Sequence, residues 1–201
     1  VRKSVFDATR EDGRARFGVP EDARLLLVTG GSLGARHLNQ AVAALKDELL
    51  AYGDLHIVQV TGPKELDAVR EQLALSPEQQ ARWQLLGYTD HMGDAMAAAD
   101  IVVSRAGATS LAEISARALP ALLVPFPFAT EDHQTMNAQA CVEAGAAYLV
   151  ADADVEGPEF ARKLRELIED EDVRARMTAA ARAQKTRDAA GLLADAVMEA
   201  A

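Results

Sequence analysis

The chain has 201 residues, of which 49% are hydrophobic and 26% charged, and its formal net charge is −10 at pH 7. This composition is typical of a soluble globular protein, and the acidic balance argues against nucleic acid or an anionic membrane surface as a direct partner. The single cysteine, Cys141, excludes an internal disulfide.

Apolar runs and helical patterns alternate along the chain. The continuous apolar run Arg24–Thr29 is typical of a strand buried on both faces, and a helix is predicted after it over about residues 35–50. Further strands are predicted at Leu55–Val60, Gln84–Tyr88, Ile101–Ser104, Ala121–Pro125 and Ala146–Val150, with helices at about 63–75, near 92–96, at 110–118, from 133, and from 157 to the end. This alternation predicts an α/β fold: a doubly wound, parallel six-stranded sheet with flanking helices.

The first twenty residues differ from the rest in being polar and carrying Gly13, Gly18 and Pro20. We expect residues 1–20 to be a hinge or linker segment with one short helix, and residues 21–201 to be one domain. Because the chain begins with Val1 rather than Met, we expect it to be a piece of a longer protein.

Two glycine-centred turns about 75 residues apart each follow a predicted strand and precede a predicted helix. The first is Gly30-Gly31-Ser32-Leu33-Gly34, and the second is centred on Gly107. A helix that begins directly after such a turn directs free backbone N–H groups and the positive end of its dipole at one spot, which suits a phosphate. Two such helix starts on one edge of a sheet predict a site for a nucleoside diphosphate.

The first turn has two other interpretations. A plain strand-to-helix turn would need the same glycines. A dinucleotide site requires Gly-x-Gly-x-x-Gly and an acidic residue at the end of the second strand, but that strand ends here in Val60-Thr61-Gly62-Pro63. The sequence therefore disfavours a redox dinucleotide.

The second turn contributes further hydrogen-bonding groups. Gly107 is predicted to relieve the backbone, and Ala108 and Thr109 to carry the first free N–H groups of the helix. Glu113 follows one turn later, where its carboxylate would accept from both hydroxyls of a ribose. The alternative for Glu113 is compensation of the helix dipole.

A third segment places His133, Gln134 and Asn137 on one face at the start of a predicted helix. A histidine and two amides at the carboxyl end of a strand predict hydrogen bonds to a polyol or sugar. The alternative is that Asp132 caps the helix and the amides are exposed. The histidines show no metal-ligand spacing, and no Ser–His–Asp order can be argued, so no metal site is predicted.

Three segments together resemble one family: GGSLGAR, SRAGATSLAEI and LPALLVPFPFATEDHQTMNA are similar to the C-terminal domain of the MurG family. That family transfers N-acetylglucosamine (GlcNAc) from UDP-GlcNAc to undecaprenyl-diphospho-MurNAc-pentapeptide, called lipid I, in bacterial peptidoglycan and cell-wall synthesis. The resemblance implies that residues 21–201 are the UDP-GlcNAc-binding, Rossmann-like half of a GT-B glycosyltransferase. It also implies a peripheral enzyme at the cytoplasmic face of the inner membrane, with the lipid acceptor and the membrane bound by an N-terminal domain.

The resemblance also implies a set of donor-binding residues. Turn residues would contact the diphosphate, Glu113 the ribose, the backbone of Thr89 the uracil, and Gln134 with its neighbours the GlcNAc. Arg2 matches a hinge arginine near the nucleotide. The full set is Arg2, Gly31, Ser32, Gly34, Thr89, Gly107, Ala108, Thr109, Ser110, Leu111, Ala112, Glu113, His133, Gln134 and Asn137.

The implied reaction is an inverting single displacement that needs no cofactor, with UDP-GlcNAc as substrate. Its general base would lie on the N-terminal domain, so no catalytic residue is assigned here and we expect no turnover by this chain alone. Three positions depart from the family pattern: Ala118 stands where glycine is frequent, which predicts a strained helix end, and Leu33 and Ala106 replace residues that are often polar.

The sequence leaves three alternatives to this function. The chain could be a natural donor-binding subunit that docks on a separate membrane partner, although its start within a motif favours a fragment. It could be another UDP-sugar transferase or a UDP-GlcNAc epimerase, but catalytic carboxylates for the epimerase were not identified. A purely structural domain is disfavoured by the three motifs.

Overall fold

A computed structural model describes residues 1–31, 35–129 and 133–184. The strands are β1 (Arg24–Thr29), β2 (Leu55–Val60), β3 (Trp83–Leu86), β4 (Ile101–Ser104), β5 (Ala121–Leu123) and β6 (Ala147–Leu149). The helices are α1 (Lys3–Asp7), α2 (Arg10–Arg16), α3 (Arg36–Ala44), α4 (Lys46–Ala51), α5 (Leu66–Leu73), α6 (Pro77–Gln80), α7 (Met92–Ala98), α8 (Ala108–Arg117), α9 (His133–Glu143), α10 (Pro158–Glu169) and α11 (171–184). A short 3₁₀ helix, Asp152–Asp154, lies between β6 and α10.

The six strands form one sheet in the order β3-β2-β1-β4-β5-β6, and every neighbouring pair is parallel. This confirms the predicted doubly wound sheet. The chain builds outwards from β1 to β3, returns to place β4 beside β1, and then builds in the other direction. Thr29 of β1 is in register with Ser104 of β4, so a crevice opens beyond these two residues, where such folds bind ligands.

Helices cover both faces of the sheet, which explains why the strands are apolar without alternation. In β1, Leu26 and Val28 face one core, which α3, α4, α5, α10 and α11 cover. Leu25 and Leu27 face the other core, which the N-terminal helices, α7, α8 and α9 cover. Within the described ranges, no helix is both long enough and apolar enough to span a membrane.

Several predicted elements are shorter in the structure than in the sequence pattern. The helix expected over 35–50 divides into α3 and α4 at Leu45, and the leucine spacing fits both because Leu38 and Leu49 face the same core. The fifth strand ends at Leu123 rather than Pro125, because proline has no N–H to donate to a neighbouring strand. The short helix α6 was not predicted.

The N-terminal segment contains two helices rather than the one that was expected, and both are packed closely against α7. Val5 is fully buried. A Cβ on Gly13 would lie 2.3 Å from the carbonyl oxygen of Asp94, and one on Gly93 would lie 2.4 Å from that of Ser4. The absence of side chains at these glycines therefore allows the two helices to dock; the division into hinge and domain stays a prediction.

A buried chain of hydrogen bonds positions α3, the helix that follows the first glycine turn. Trp83 Nε1 donates to Gln59 Oε1 at 3.1 Å, and Gln59 Nε2 donates to Asn39 Oδ1 at 3.2 Å. Asn39 Nδ2 donates to the carbonyl oxygen of Thr61 at 2.9 Å. Because buried amides are costly without partners, this chain fixes α3 relative to the carboxyl end of β2.

Two alanines occupy the left-handed region at helix ends: Ala74 (φ 42°) and Ala118 (φ 51°). The strain expected at Ala118 is therefore confirmed. We expect Ala74→Gly to raise the free energy of unfolding by about 0.5–1 kcal/mol, because this conformation costs an alanine about 1–2 kcal/mol and part of the gain is lost to glycine's greater unfolded-state entropy. Urea unfolding measures this change.

The environment of Ala118 predicts a smaller effect there. Its methyl group is buried against Ala146 and Ala181, and losing a buried methyl costs about 0.8 kcal/mol, so Ala118→Gly should be near neutral. Ala140→Gly, at an exposed position inside α9, is the control and should cost about 1 kcal/mol. Equal destabilisation by Ala74→Gly and Ala140→Gly would contradict the assigned strain.

Candidate functional site

A cleft of about 580 Å³ occupies the crevice beyond the carboxyl ends of β1 and β4. Segments that are far apart in sequence form its walls: the two glycine turns, the loop after β3, the loop after β5 and the first residues of the chain. The lining consists of Arg2, Thr29, Gly30, Gly31, Val60, Tyr88, Thr89, Met92, Met96, Arg105, Gly107, Ala108, Thr109, Ser110, Glu113, Phe126 and Gln134.

The first glycine turn reaches the cleft through Gly30 and Gly31. Gly31 has φ +81°, a left-handed conformation that glycine adopts without strain. Ser32, Leu33 and Gly34 lie outside the described residues. The following helix, α3, has no side-chain hydrogen bond at its N-cap residue Ala35 and no acidic residue in its first turn.

The second glycine turn directs the N-terminus of α8 at the cleft. Its N-cap residue is Gly107, which has no side chain to cap the helix. Ala108, Thr109 and Ser110 of the first turn of α8 line the cleft. Gly107 has an ordinary extended backbone (φ −65°, ψ 143°), so the expectation that it relieves the backbone is wrong. A Cβ there would lie 3.9 Å from Gln134 Nε2, which is ordinary contact and requires no glycine.

Glu113 is buried at the inner end of the cleft and is paired with Arg2. Only 1% of the Glu113 surface is exposed to solvent. Arg2 Nε donates to Glu113 Oε1 at 2.7 Å, and Arg2 Nη2 donates to Oε2 at 2.6 Å. The hydrogen bonds from Arg2 outweigh the effect of burial and lower the pKa of Glu113 below its usual range. The carboxylate is therefore ionised at neutral pH and keeps lone pairs for further donors.

The sign of the Glu113 shift predicts a pH dependence of stability. A lowered pKa in the folded state stabilises the fold above the ordinary pKa, 4.5, and this contribution is lost as the pH falls through the lowered value. We expect Arg2→Met to reduce the free energy of unfolding by about 1 kcal/mol at pH 7, since Arg2 is half-exposed. The difference from the native chain should close below about pH 4.5.

Urea unfolding of both chains at pH 7, 5.5, 4 and 3 measures this difference. Arg70→Met is the matched control, because Arg70 pairs with Asp67 on the exposed surface of α5. A difference between native chain and Arg2→Met that stays constant over the whole pH range would contradict the assigned coupling.

Gln134 joins the second turn to the loop after β5. Its Oε1 accepts from the backbone N–H of Ala106 at 3.2 Å and from that of Phe126 at 3.0 Å. Its Nε2 lies on the side of Gly107. The amide oxygen is thus engaged by the fold, and the NH₂ group is the part that can donate to a ligand.

The structure brings most of the predicted site residues together. Among the described residues, the cleft lining includes Arg2, Gly31, Thr89, Gly107, Ala108, Thr109, Ser110, Glu113 and Gln134, and does not include Leu111, Ala112, His133 or Asn137. Leu111 packs in the core and Ala112 is exposed on α8. Ser32 and Gly34 lie outside the described residues, so their predicted roles are neither supported nor opposed.

The sequence interpretation missed several lining residues. Tyr88, Met92 and Met96 form an apolar wall beside Thr89, and Tyr88 is 63% exposed. Arg105 is buried, although it stands between small residues directly after β4, and its guanidinium lies 5.7 Å from the ring centre of Phe126. An arginine in an otherwise small and apolar turn was the signal that could have indicated this residue.

The cleft thus combines three kinds of recognition. The N-terminus of α8, with the glycines of the first turn, suits a phosphate group. An ionised carboxylate suits hydroxyl donors, and an apolar wall with one tyrosine suits a planar ring. Within the described part of the chain, no group of three or more His, Cys, Asp or Glu side chains is arranged to hold a metal ion.

A family model described as the glycosyltransferase family 28 C-terminal domain matches residues 25–193. The chain belongs to this family. The match includes both glycine turns and Gln134, so all of the cleft lining except Arg2 lies inside the region that defines the family 28 domain. The predicted glycosyltransferase fold is confirmed.

Two relatives of this family 28 chain carry the name UDP-N-acetylglucosamine–N-acetylmuramyl-(pentapeptide) pyrophosphoryl-undecaprenol N-acetylglucosamine transferase. The one from Salinibacter ruber is 43% identical over 198 residues, covering 98% of this chain and 52% of its own length. The one from Mycolicibacterium smegmatis is 41% identical over 206 residues, covering 100% of this chain and 52% of its own length. The chain spans about half the length of the curated relatives it matches.

The crystal structure of Acinetobacter baumannii MurG is similar in fold and sequence. It superimposes with a TM-score of 0.69 at 27% identity, over 90% of this chain and 50% of that one. The resemblance to the MurG family is confirmed, and the family 28 domain described here has the fold of one Rossmann-like half of a GT-B glycosyltransferase.

Proposed function

We propose that this chain is the donor-binding half of a glycosyltransferase that moves GlcNAc from UDP-GlcNAc to undecaprenyl-diphospho-MurNAc-pentapeptide in peptidoglycan synthesis. The cleft at the switch point carries this proposal, because Gly30 and Gly31 of the first turn and the N-terminus of α8 line it beside the ionised Glu113. The names of its relatives, which span twice its length, supply the sugar and the acceptor.

Each part of the donor has a suitable group in the cleft. The diphosphate would lie between the two glycine turns, and the ribose hydroxyls would donate to Glu113. The uracil would lie against Tyr88 and the backbone of Thr89. The NH₂ group of Gln134 would donate to a hydroxyl of the GlcNAc, with His133 and Asn137 as further predicted contacts.

The transfer itself is a single displacement. The acceptor hydroxyl forms a bond to the anomeric carbon as the bond from that carbon to the diphosphate oxygen breaks, and the electron pair leaves with UDP. Backbone N–H groups and helix dipoles stabilise the charge that develops on the diphosphate. The hydroxyl proton goes to a general base, which we assign, with the lipid acceptor site and membrane contact, to the remaining half of the relatives' length. The whole enzyme would act at the cytoplasmic face of the membrane.

Calorimetric titration of the chain with UDP, UDP-GlcNAc and UDP-galactose tests this proposal. We expect binding of all three in the micromolar to millimolar range, because one half of a two-part site supplies the contacts to UDP, with UDP-GlcNAc preferred over UDP-galactose. A folded chain that binds no uridine nucleotide would overturn the donor assignment. Equal affinity for UDP-GlcNAc and UDP-galactose would support a uridine nucleotide site but would contradict the assignment of GlcNAc as the sugar.

A further inference from the structure

Asp152, in the short 3₁₀ helix after β6, contacts both the second glycine turn and the first turn of α3. Its Oδ1 accepts from Arg105 Nη1 at 2.5 Å, and Arg105 belongs to the second glycine turn. Its Oδ2 lies 2.9 Å from His37 Nδ1, in the first turn of α3. A single carboxylate, carried by a third segment of the chain, therefore joins the two elements that the first and second glycine turns introduce.

These contacts lie in a weakly hydrated region. The Asp152 side chain is 13% exposed and the Arg105 side chain 8%. Burial by itself would raise the pKa of Asp152, but the hydrogen bonds from His37 and Arg105 outweigh it and hold the pKa below its usual range. The carboxylate is ionised at neutral pH, so its hydrogen bonds with Arg105 and His37 are charge-assisted and have a defined geometry.

Arg105 is held by the fold on its other side as well. Its Nη1 also donates to the carbonyl oxygens of Val124 and Pro125, at 3.2 and 3.1 Å, while its Nε is buried with no hydrogen-bond partner among the described residues. Arg105 lines the cleft. Moving Asp152 would thus move a cation at the site where we place the diphosphate.

Helix packing does not set the separation of the two phosphate-binding helices. α3 covers one face of the sheet and α8 covers the other. Both follow parallel strands that lie side by side, β1 and β4, so both helices begin at the edge of the sheet where we place the diphosphate. Hydrogen bonds to one diphosphate from both N-termini require donor–acceptor distances within about 2.7–3.2 Å. A contact that fixes one N-terminus relative to the other therefore affects affinity directly.

We propose that Asp152 is a positioning residue that fixes the second glycine turn and the first turn of α3 relative to each other through Arg105 and His37. The proposal rests on the proposed function, because it assigns Asp152 to the diphosphate part of that donor site. In this proposal Asp152 does not touch the ligand and acts only through the groups that bind the phosphates. Substituting Asp152 should therefore affect only ligands that carry phosphates.

The test compares UDP with uridine, which lacks phosphates, by calorimetric titration of the native chain, Asp152→Ala and Asp154→Ala. Asp154 lies in the same 3₁₀ helix, is exposed, and contacts neither Arg105 nor His37 in the described structure. Both variants lose one negative charge. Loss of charge alone should tighten UDP binding slightly, whereas loss of position should weaken it, so the two explanations predict opposite signs.

We expect Asp152→Ala to weaken UDP binding by roughly tenfold, with uridine affinity within about twofold of the native chain. Asp154→Ala should leave the ratio of UDP to uridine affinity unchanged or slightly raised. A native chain that binds neither ligand would overturn the proposed function. A native chain that binds UDP, with Asp152→Ala matching Asp154→Ala, would overturn only the role of Asp152.

His37→Ala provides a second variant that does not depend on the folding of Asp152→Ala. The His37 side chain is one-third exposed, so its removal disturbs the core less than loss of the Asp152 carboxylate. We expect His37→Ala to weaken UDP binding selectively, and the double variant to lose less than the product of the two single losses, because both act through one bridge. Unchanged UDP affinity in His37→Ala would overturn the bridge between the two turns.

Discussion

Glu113→Ala should reduce the affinity for UDP by at least about a hundredfold, because two hydrogen bonds from ribose hydroxyls to a charged group contribute about 1.5–3 kcal/mol each, and about 3 kcal/mol already corresponds to about 150-fold. The carboxylate is buried, ionised and at the inner end of the cleft. Calorimetric titration with UDP and with 2′,3′-dideoxy-UDP measures the loss. For the dideoxy ligand, which has no ribose hydroxyls to donate, the native chain and the variant should bind about equally.

The same substitution should have a smaller effect on stability. Arg2 is half-exposed, so its guanidinium is hydrated when the carboxylate is removed, and we expect a loss of about 1–2 kcal/mol in the free energy of unfolding. Glu71→Ala on the exposed face of α5 is the matched control and should change neither property. If Glu113→Ala reduced the affinity for the dideoxy ligand as much as the affinity for UDP, the carboxylate would act on a part of the ligand other than the ribose hydroxyls.

Arg105→Met should destabilise the fold by about 3–5 kcal/mol, the cost of removing one partner from a buried ion pair. The substitution removes three hydrogen bonds, to Val124, Pro125 and Asp152. It leaves the Asp152 carboxylate buried with His37 as its remaining described hydrogen-bond partner. Urea unfolding measures the loss, and titration with UDP under native conditions should show weaker binding because the cleft also loses a cation.

The exposed Arg162 of α10 provides the control for Arg105. Arg162 also pairs with carboxylates, those of Glu159 and Glu166, but its side chain is more than half exposed. Arg162→Met should therefore cost less than about 1 kcal/mol. Arg105→Lys should lie between the two, because an ammonium keeps the charge but cannot reproduce the planar fork of donors. Equal effects of Arg105→Met and Arg162→Met would contradict a buried structural role for Arg105.

The sequence determined the order and type of the main elements. Strands β1, β2 and β4 have the predicted bounds, because a strand buried on both faces is a largely apolar run that the sequence makes visible. Local rules also located both glycine turns, and Gly31 has a positive φ that suits a glycine. The predicted element boundaries were wrong where tertiary contacts decide them. Examples are the break between α3 and α4 at Leu45 and the two N-terminal helices, which pack against α7.

The candidate site was predictable where one segment carries its own signal, and not where distant segments meet. Glu113 and Gln134 follow turns that mark them, and both line the cleft. The Arg2–Glu113 pair and the bridge from His37 through Asp152 to Arg105 join residues that the sheet brings together. No local spacing encodes such contacts, since they exist only when β1 and β4 lie side by side. The sequence by itself therefore determined the turns and their helices, and the tertiary structure decided which charges meet at the cleft.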